Sequence, residues 1–226
     1  MISEIQKREF DNFLEMLNRH NLLSYVIVIG SWAEILYAFG NLINNFTPST
    51  RTLDLDFLVR NMRQPRQKVS LFSLADKEGY SVYSDYITGV SKFITPANLE
   101  IEFLINQKGS GEKQWLDTNL GVRAQTLRHF DVLLKNVIEI SYEGMSVLAP
   151  APEAYVAQKL IINNDRGGKA EKDLLAILNI WPYIKTDYLL QITKSTSKKE
   201  QKFIKETLTI LSEESESISS FLKQIS

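Results

Sequence analysis

The stretch that decides the fold is Leu53–Val59, with the sequence LDLDFLV. It alternates between apolar and acidic side chains and then becomes apolar, a pattern typical of a β-strand with one buried face. Side chains two residues apart on a strand point the same way, roughly 6–7 Å from each other. The pattern therefore predicts a strand that carries Asp54 and Asp56 on one face.

A second segment, Leu99–Ile105 (LEIEFLI), repeats the pattern with Glu100 and Glu102. Each strand alone can be explained as amphipathic, with its acidic side chains facing water. An acidic pair on a strand flanked by apolar residues needs a basic partner, solvent or a divalent cation, because desolvating unpaired carboxylates is costly. If the two strands are neighbours, the convergent carboxylates would repel one another strongly without a cation. Hard oxygen ligands favour Mg²⁺, which proteins often share with substrate phosphates. The two pairs thus indicate metal-assisted phosphoryl or nucleotidyl transfer.

A glycine-serine turn is the second informative feature. The β-branched run Tyr25–Ile29 predicts a buried strand, and Trp32–Phe39 predicts a helix, with Gly30 and Ser31 between them. Glycine lets the backbone approach a ligand closely, and a helix N-terminus presents free N–H groups to anions. The simpler alternative is that Ser31 only caps the helix.

The remaining segments complete the prediction of an α+β fold. Before position 150, the patterns predict helices at 3–20 and 65–78, strands at 80–83 and 90–95, and a hairpin of strands at 137–141 and 145–148. After it, they predict helices at 152–163, 169–180, 186–193 and 197–214, with a short helix at the tail. Segments 40–52 and 107–113 have the composition of loops. We therefore predict a core domain at 1–148 and a C-terminal helical region at 149–226.

Composition restricts the function classes. The 26 basic and 27 acidic side chains argue against a broad nucleic-acid surface, so RNA as a substrate is not indicated by charge. The chain has no cysteine, which rules out disulfides and thiolate chemistry. No apolar run approaches the roughly 20 residues that span a bilayer, and the N-terminus does not resemble a signal peptide. A soluble, cytoplasmic protein without membrane contact is expected.

The order of the motifs resembles that of the polymerase-β-like nucleotidyltransferase superfamily. The signature of that superfamily is a Gly-Ser or Gly-Gly turn, then an Asp-x-Asp strand, then a third carboxylate on a strand of its own. Here the turn is followed by Asp54-x-Asp56 and by the acidic strand at 99–105. The resemblance implies a mixed β-sheet flanked by helices, a divalent metal (Mg²⁺ or Mn²⁺) and an NTP as substrate.

A helical stretch strengthens the resemblance. Glu153–Leu160, followed by Arg166 and by Lys172-Asp173-Leu174, is similar to a motif of small bacterial stand-alone nucleotidyltransferases, among them relatives of abortive-infection toxins. In total the resemblance covers roughly residues 25–180. It leaves room for a toxin–antitoxin role with an antitoxin-type protein partner.

The resemblance also implies roles for individual residues. Gly30 and Ser31 would meet the NTP phosphates, Lys159 would neutralise the triphosphate, and the metal ligands would be Asp54, Asp56 and Glu102. Glu100 competes with Glu102 for the third position. Two features depart from the family pattern: the third acid is glutamate, and 22 residues separate Ser31 from Asp54, more than the minimal spacing. The loop at 40–52 is then either a substrate-contacting insertion or an element that holds the carboxylates out of register.

Simpler interpretations exist for several other residues. Lys159 on a helix is by itself most simply an exposed lysine with a buried stem. Asp173 is expected to pair with Lys169 or Arg166 rather than to take part in catalysis. Arg51 could reach a phosphate or balance Asp54. The two histidines, His20 and His129, have no metal-binding spacing.

Two hypotheses follow. The first is a metal-dependent nucleotidyltransferase that acts on an unidentified acceptor hydroxyl of a small molecule, a protein or RNA. RNA would require the lysines of the C-terminal helices to form one face: Lys194, Lys198, Lys199, Lys202 and Lys205. The second is a non-catalytic module that keeps the fold and binds a nucleotide or a protein.

Overall fold

The computed structural model of the chain describes residues 3–48, 54–107 and 113–225. The helices are α1 (Glu4–Arg19), α2 (Ser31–Phe39), α3 (Leu71–Lys77), α4 (Asp131–Lys135), α5 (Pro152–Ile162), α6 (Ala170–Ile180), α7 (Thr186–Ser195), α8 (Lys198–Leu211) and α9 (Glu216–Ile225). The strands are β1 (Val26–Ile29), β2 (Asp54–Val59), β3 (Ser81–Ser84), β4 (Ser91–Ile94), β5 (Glu100–Asn106), β6 (Trp115–Asp117), β7 (Arg123–Leu127), β8 (Val137–Tyr142) and β9 (Met145–Pro150).

Seven strands form one mixed sheet, and β8 and β9 form a separate hairpin. The main path of the sheet runs β1-β2-β5-β4-β3, and β7 pairs with the C-terminal part of β5 and carries β6 on its other edge. The pairs β2–β5 and β5–β7 are parallel, whereas the other pairs are antiparallel. The predicted α+β class, with a mixed sheet flanked by helices and followed by C-terminal helices, is confirmed.

Helix α1 covers the apolar face of the sheet. The ring of Phe13 lies 5.4 Å from that of Phe57 on β2 and 6.4 Å from that of Phe103 on β5, between ring centroids. Because side chains alternate along a strand, these rings point away from the acidic face of the same strands. Ser3 caps α1, since its hydroxyl accepts a hydrogen bond from the backbone N–H of Gln6. The acidic side chains of β2 and β5 therefore lie on the face of the sheet that α1 does not cover.

The C-terminal helices are assembled around α5, which packs against α6, α7 and α8. Their buried apolar side chains belong to the same continuous cluster as those of the sheet. The predicted domain boundary between residues 148 and 149 falls within β9, and the division into two domains stays a prediction. Within the described ranges, no helix is both long and apolar enough to cross a membrane.

Several boundaries differ from the sequence prediction. The helix expected at 65–78 begins only at Leu71, where the Ser70 side chain accepts a hydrogen bond from the Ser73 backbone and caps it. Two strands and a helix between 115 and 135 were not predicted, because β6 and β7 are short and neither shows a clear alternation. Parts of the predicted loops, 49–52 and 108–112, lie outside the described residues, as does Arg51.

Replacing Phe13 by alanine is expected to lower the free energy of unfolding by about 3–5 kcal/mol, because the cavity would open among the four aromatic rings that surround Phe13. Ile210→Ala, at a side chain that is 53% exposed on α8, is the matched control and should change it by less than about 0.5 kcal/mol. Chemical denaturation measures both. Equal losses in the two variants would contradict the packing described for α1.

Candidate active site

The acidic pairs of β2 and β5 lie side by side. In the parallel ladder Asp54 is opposite Glu100, and Asp56 is opposite Glu102. Directly opposite residues on neighbouring strands point to the same face. The fold thus brings together the four carboxylates singled out in the sequence, and it pairs Asp56 with Glu102 rather than with Glu100.

A lysine on the next strand compensates part of this charge. Lys92 on β4 is opposite Glu102, and its ammonium group lies 2.8 Å from the Glu102 carboxylate and also contacts Glu100. Partial burial opposes the charged form of Lys92, but the hydrogen bonds to both glutamates raise its pKa well above the usual range. The hydrogen bond from Lys92 likewise lowers the pKa of Glu100. Lys92 is thus the basic partner of the acidic pair on β5.

Asp56 has a different environment from the two glutamates. Burial, reinforced by the neighbouring carboxylates of Glu102 and Asp54, raises its pKa to about 7. Lys169 and Arg166 act in the opposite direction but do not cancel the effect. Asp56 is therefore a carboxylate at which additional positive charge would be stabilising.

The carboxylate oxygens of Asp54, Asp56 and Glu102 are the type of ligand that a hard divalent cation prefers, but in this structure they are not close enough together to bind one. Asp54 and Asp56 present carboxylate oxygens on one face, and Glu102 is the neighbour of Asp56 across the ladder. Among residues 3–48, 54–107 and 113–225, no three acidic or histidine side chains stand close enough together to hold a metal as they are. Glu102 would have to turn from Lys92 to join the two aspartates.

The turn between β1 and α2 meets Asp56 directly. Gly30 has φ +64° and ψ −152°, a conformation that is open essentially to glycine alone. A β-carbon at Gly30 would lie 3.0 Å from Oδ2 of Asp56. Gly30, not Ser31, is the N-cap residue of α2, and no side chain caps the helix. Helix α2 thus begins at the glycine that approaches the Asp56 carboxylate, and its N-terminus has no side-chain cap hydrogen bond in the described residues.

One hydrogen bond ties this turn to the acidic strand. Nε1 of Trp32, the second residue of α2, donates to the backbone carbonyl oxygen of Asp54 at 3.0 Å. Trp32 is fully buried, and its ring centroid lies 4.6 Å from that of Phe10 on α1. The Gly-Ser turn and the first carboxylate are thereby held in a fixed relation.

Lys159 is not an exposed lysine. It is 6% exposed, and its Nζ donates to Oδ1 of Asp173 at 2.6 Å and lies 4.9 Å from the centroid of the Tyr155 ring. The other oxygen of Asp173 accepts from Nε of Arg166 at 2.9 Å. The expected pairing of Asp173 with Arg166 is present, and its second partner is Lys159, not Lys169. One carboxylate between two cations leaves net positive charge on this side of the site.

More positive charge surrounds this group. Lys172 on α6 is partly buried, and this burial, together with the nearby Lys159 and Lys169, lowers its pKa. Four cations thus lie on α5, α6 and the turns between them, opposite the carboxylates of the sheet: Lys159, Arg166, Lys169 and Lys172. The carboxylates of the sheet can thus attract a cation, and the basic side chains opposite them can attract an anion.

A cleft with a volume of about 340 Å³ opens between the two sides. Gly30, Asp56, Lys159 and Arg166 all line it, together with apolar side chains and His129. In the described part of the chain, Ser31, Asp54 and Glu102 do not form its walls. The sequence prediction thus located three of its site residues in the cleft, namely Gly30, Asp56 and Lys159. It missed Lys92 and His129, because a lone lysine on a strand and a lone histidine in a connection carry no sequence signal of their own.

Comparison with known families decides the assignment. The family described as nucleotidyltransferase matches residues 8–195, most of the chain. The chain belongs to this nucleotidyltransferase family. A search among curated proteins found no significant match.

The solved structures that match this nucleotidyltransferase share little sequence with it. An antigenic nucleotidyltransferase-like protein from Paracoccidioides brasiliensis is 16% identical, with a TM-score of 0.47 and coverage of 88% of this chain and 84% of that one. The antibiotic-resistance factor ANT(2'')-Ia is 12% identical, with a TM-score of 0.43 and coverage of 97% and 90%. Lincomycin-bound LnuA, a lincosamide antibiotic adenylyltransferase, is 12% identical, with a TM-score of 0.44 and coverage of 81% and 99%. None of these likenesses identifies a substrate for this chain.

Gly30→Ala should destabilise the nucleotidyltransferase by about 1–3 kcal/mol, because alanine is strained at this backbone conformation. The new methyl group would also press on the Asp56 carboxylate. Gly144→Ala is a matched control, since Gly144 also has a positive φ, of 75°, but no atom lies within 4 Å of an added β-carbon. Denaturation curves compare the two. A smaller loss at Gly30 than at Gly144 would show that the close approach to Asp56 is not a constraint.

Asp173→Asn is expected to lower the free energy of unfolding by about 3–5 kcal/mol, since it leaves the buried Lys159 ammonium group without a charged partner. Glu171→Gln, at an exposed acid two residues earlier on α6, is the control and should have little effect. Thermal and chemical denaturation give both values. If the two variants lost similar stability, the Lys159–Asp173 pair would not be the structural link between α5 and α6.

Proposed function

We propose that this nucleotidyltransferase is a metal-dependent enzyme that transfers a nucleotidyl group from an NTP to an acceptor hydroxyl and releases pyrophosphate. The observation that carries the proposal is the register of β2 with β5, which aligns Asp56 with Glu102 beside the glycine turn. The acceptor is a small molecule, a protein or RNA. The family and fold do not distinguish among these acceptors.

In the proposed site, the oxygens of Asp54 and Asp56 would hold Mg²⁺ or Mn²⁺. Glu102 would be the third ligand if its carboxylate turned away from Lys92, which also contacts Glu100. The bound cation would withdraw charge from the phosphates of the NTP and so stabilise the charge that develops during transfer. The raised pKa of Asp56 supports this assignment, because its causes are burial and like-charged neighbours, which a cation would offset.

The side chains and backbone around the cleft have separate tasks in the reaction. The absence of a side chain at Gly30 admits a phosphate to the uncapped N-terminus of α2, where Ser31 adds a hydroxyl. Lys159 and Arg166 supply positive charge across the cleft. The acceptor oxygen attacks the α-phosphorus in line, the new O–P bond forms as the bond to pyrophosphate breaks, and the hydroxyl proton passes to Glu102 or solvent. The contribution of the chain is positioning and charge.

A non-catalytic module with the same fold is the second candidate. The observation in its favour is the ion pair between Lys92 and Glu102, which satisfies the third carboxylate without a metal. Such a module would bind a nucleotide or a protein partner without releasing pyrophosphate.

The enzyme hypothesis is tested by incubating the protein with Mg²⁺ and each NTP labelled at the α-phosphate, and by measuring pyrophosphate release and label transfer. Asp54→Asn and Asp56→Asn should each lower the rate at least about 100-fold, because the loss of a metal ligand removes several kcal/mol of transition-state stabilisation. Asp76→Asn, at an exposed acid on α3, is the matched control.

The melting temperature without metal separates a chemical effect from a folding defect. Asp56→Asn removes a carboxylate that is disfavoured by burial and by like charges, so the variant should melt no lower than the wild type. Full activity in both site variants would remove the two aspartates from the mechanism. Nucleotide binding without any pyrophosphate release would favour the non-catalytic module.

A further inference from the structure

The cleft extends beyond the carboxylates along the sheet. On β5, Glu102 is opposite Asp56, whereas Asn106, four residues further along, is opposite Leu127 at the end of β7. Four residues of a strand correspond to roughly 13 Å. The walls of this far end are mainly apolar, and they also carry an imidazole and a guanidinium group: Leu127, Phe130, Leu133 and Ile162, with His129 and Arg128. This end is thus more apolar than the end at Asp56.

The connection that carries His129 is fixed from β5. Oδ1 of Asn106 accepts a hydrogen bond from the backbone N–H of Phe130 at 3.3 Å, and Nδ2 of Asn106 donates to Asp131 at 2.9 Å. His129 itself has φ +68°, a left-handed conformation that is uncommon for a residue with a side chain. Such a conformation persists when its surroundings determine it, and it is frequent where a side chain must be aimed at a ligand.

The imidazole ring is also fixed, by a residue of the C-terminal helices. Nδ1 of His129 lies 2.8 Å from Oε1 of Glu200 on α8, and the ring meets Phe203 edge-on, with 6.3 Å between centroids. The other oxygen of Glu200 accepts from the backbone N–H and the hydroxyl of Ser197 at 2.9 and 2.8 Å. Both oxygens of Glu200 are thus engaged, so the carboxylate cannot turn without breaking the cap of α8.

This pairing determines which nitrogen is available to a ligand. Partial burial disfavours the charged form of Glu200, but the hydrogen bonds from His129 and Ser197 hold its pKa below the usual range. An ionised carboxylate only accepts, so Nδ1 donates to Glu200, and in the tautomer whose single proton is on Nδ1 the Nε2 atom is an acceptor. In the described part of the chain, Nε2 has no hydrogen-bond partner.

We propose that the far end of the cleft is the subsite for the base of the NTP, and that His129, positioned by Glu200, accepts a hydrogen bond from an N–H group on the edge of that base. The proposal rests on the proposed function, which places the phosphates at Gly30 and Asp56. A nucleobase has apolar faces and a polar edge, which suit the side chains at this end. Its separation from the phosphates in an extended nucleotide is comparable to the roughly 13 Å from Glu102 to Asn106 along β5. His129 is then a specificity-determining residue.

The test compares a nucleotide with a ligand that lacks the base. Dissociation constants are measured by calorimetry, in Mg²⁺, for the α,β-methylene analogues of ATP, GTP, CTP and UTP and for tripolyphosphate. The variants are His129→Asn, since asparagine tolerates a left-handed backbone, and Glu200→Gln. His20→Asn, at the exposed second histidine, is the matched control.

We expect the wild type to prefer one base, and His129→Asn to weaken binding of that analogue roughly 3- to 10-fold, the effect of one lost hydrogen bond. Tripolyphosphate binding should stay within about twofold, and Glu200→Gln should give a smaller loss in the same direction. The control should match the wild type for every ligand. This pattern would support the base subsite.

Two results would overturn the inference, and they are distinguishable. In the first, the analogues bind, but His129→Asn changes their affinity no more than that of tripolyphosphate. His129 and Glu200 then only connect the β7–α4 segment to α8, and the variant will show a lower melting temperature without altered selectivity. If the wild type binds neither tripolyphosphate nor any analogue, the proposed function fails, and the base subsite fails with it.

Discussion

The structure depends on the parallel pairing of β2 with β5. Both strands are amphipathic in the same sense, so one register buries Phe57 and Phe103 under α1 and gathers the acidic side chains on the opposite face. A slip by one residue would exchange the two faces and place carboxylates in the aromatic core. The free energy that stabilises the fold therefore also enforces the juxtaposition of Asp56 with Glu102.

Like-charged groups held together in this way are unfavourable unless other charges compensate them. On the sheet, Lys92 neutralises part of the charge, and Arg166 and Lys169, which lie between α5 and α6, act on Asp56 from across the cleft. Arg166 is in turn held by Asp173, a buried acid that also pairs with Lys159. The C-terminal helices thus complete the electrostatics of the sheet.

Much of the fold could be predicted because its period-2 and period-3.6 patterns are strong. The acidic strands, the glycine turn and the C-terminal helices were all located from the sequence. The region 115–135 was not, since the short strands β6 and β7 depend on their pairing with β5 rather than on an alternation of their own. For the same reason the partners of Lys159 and of Glu102 could not be derived. The sequence predicts Arg166 or Lys169 as the partner of Asp173, and not Lys159. Lys92 is eight residues from Glu100 along the chain, and this spacing alone does not predict that their side chains are in contact. The residue types of the site could be predicted from the sequence, whereas the ion-pair partners of these residues depend on tertiary contacts.

The hydrogen bond from Trp32 to the carbonyl of Asp54 has a consequence for how the chain can vary. It joins the two ends of the segment that separates the glycine turn from the acidic strand, and the buried ring of Trp32 anchors that junction to α1. Insertions or deletions within the segment then act on a loop whose end points are already clamped, at a small entropic cost. The long spacing between Ser31 and Asp54 is therefore compatible with the side-by-side arrangement of Asp56 and Glu102, and a change in the length of this loop should leave that arrangement intact.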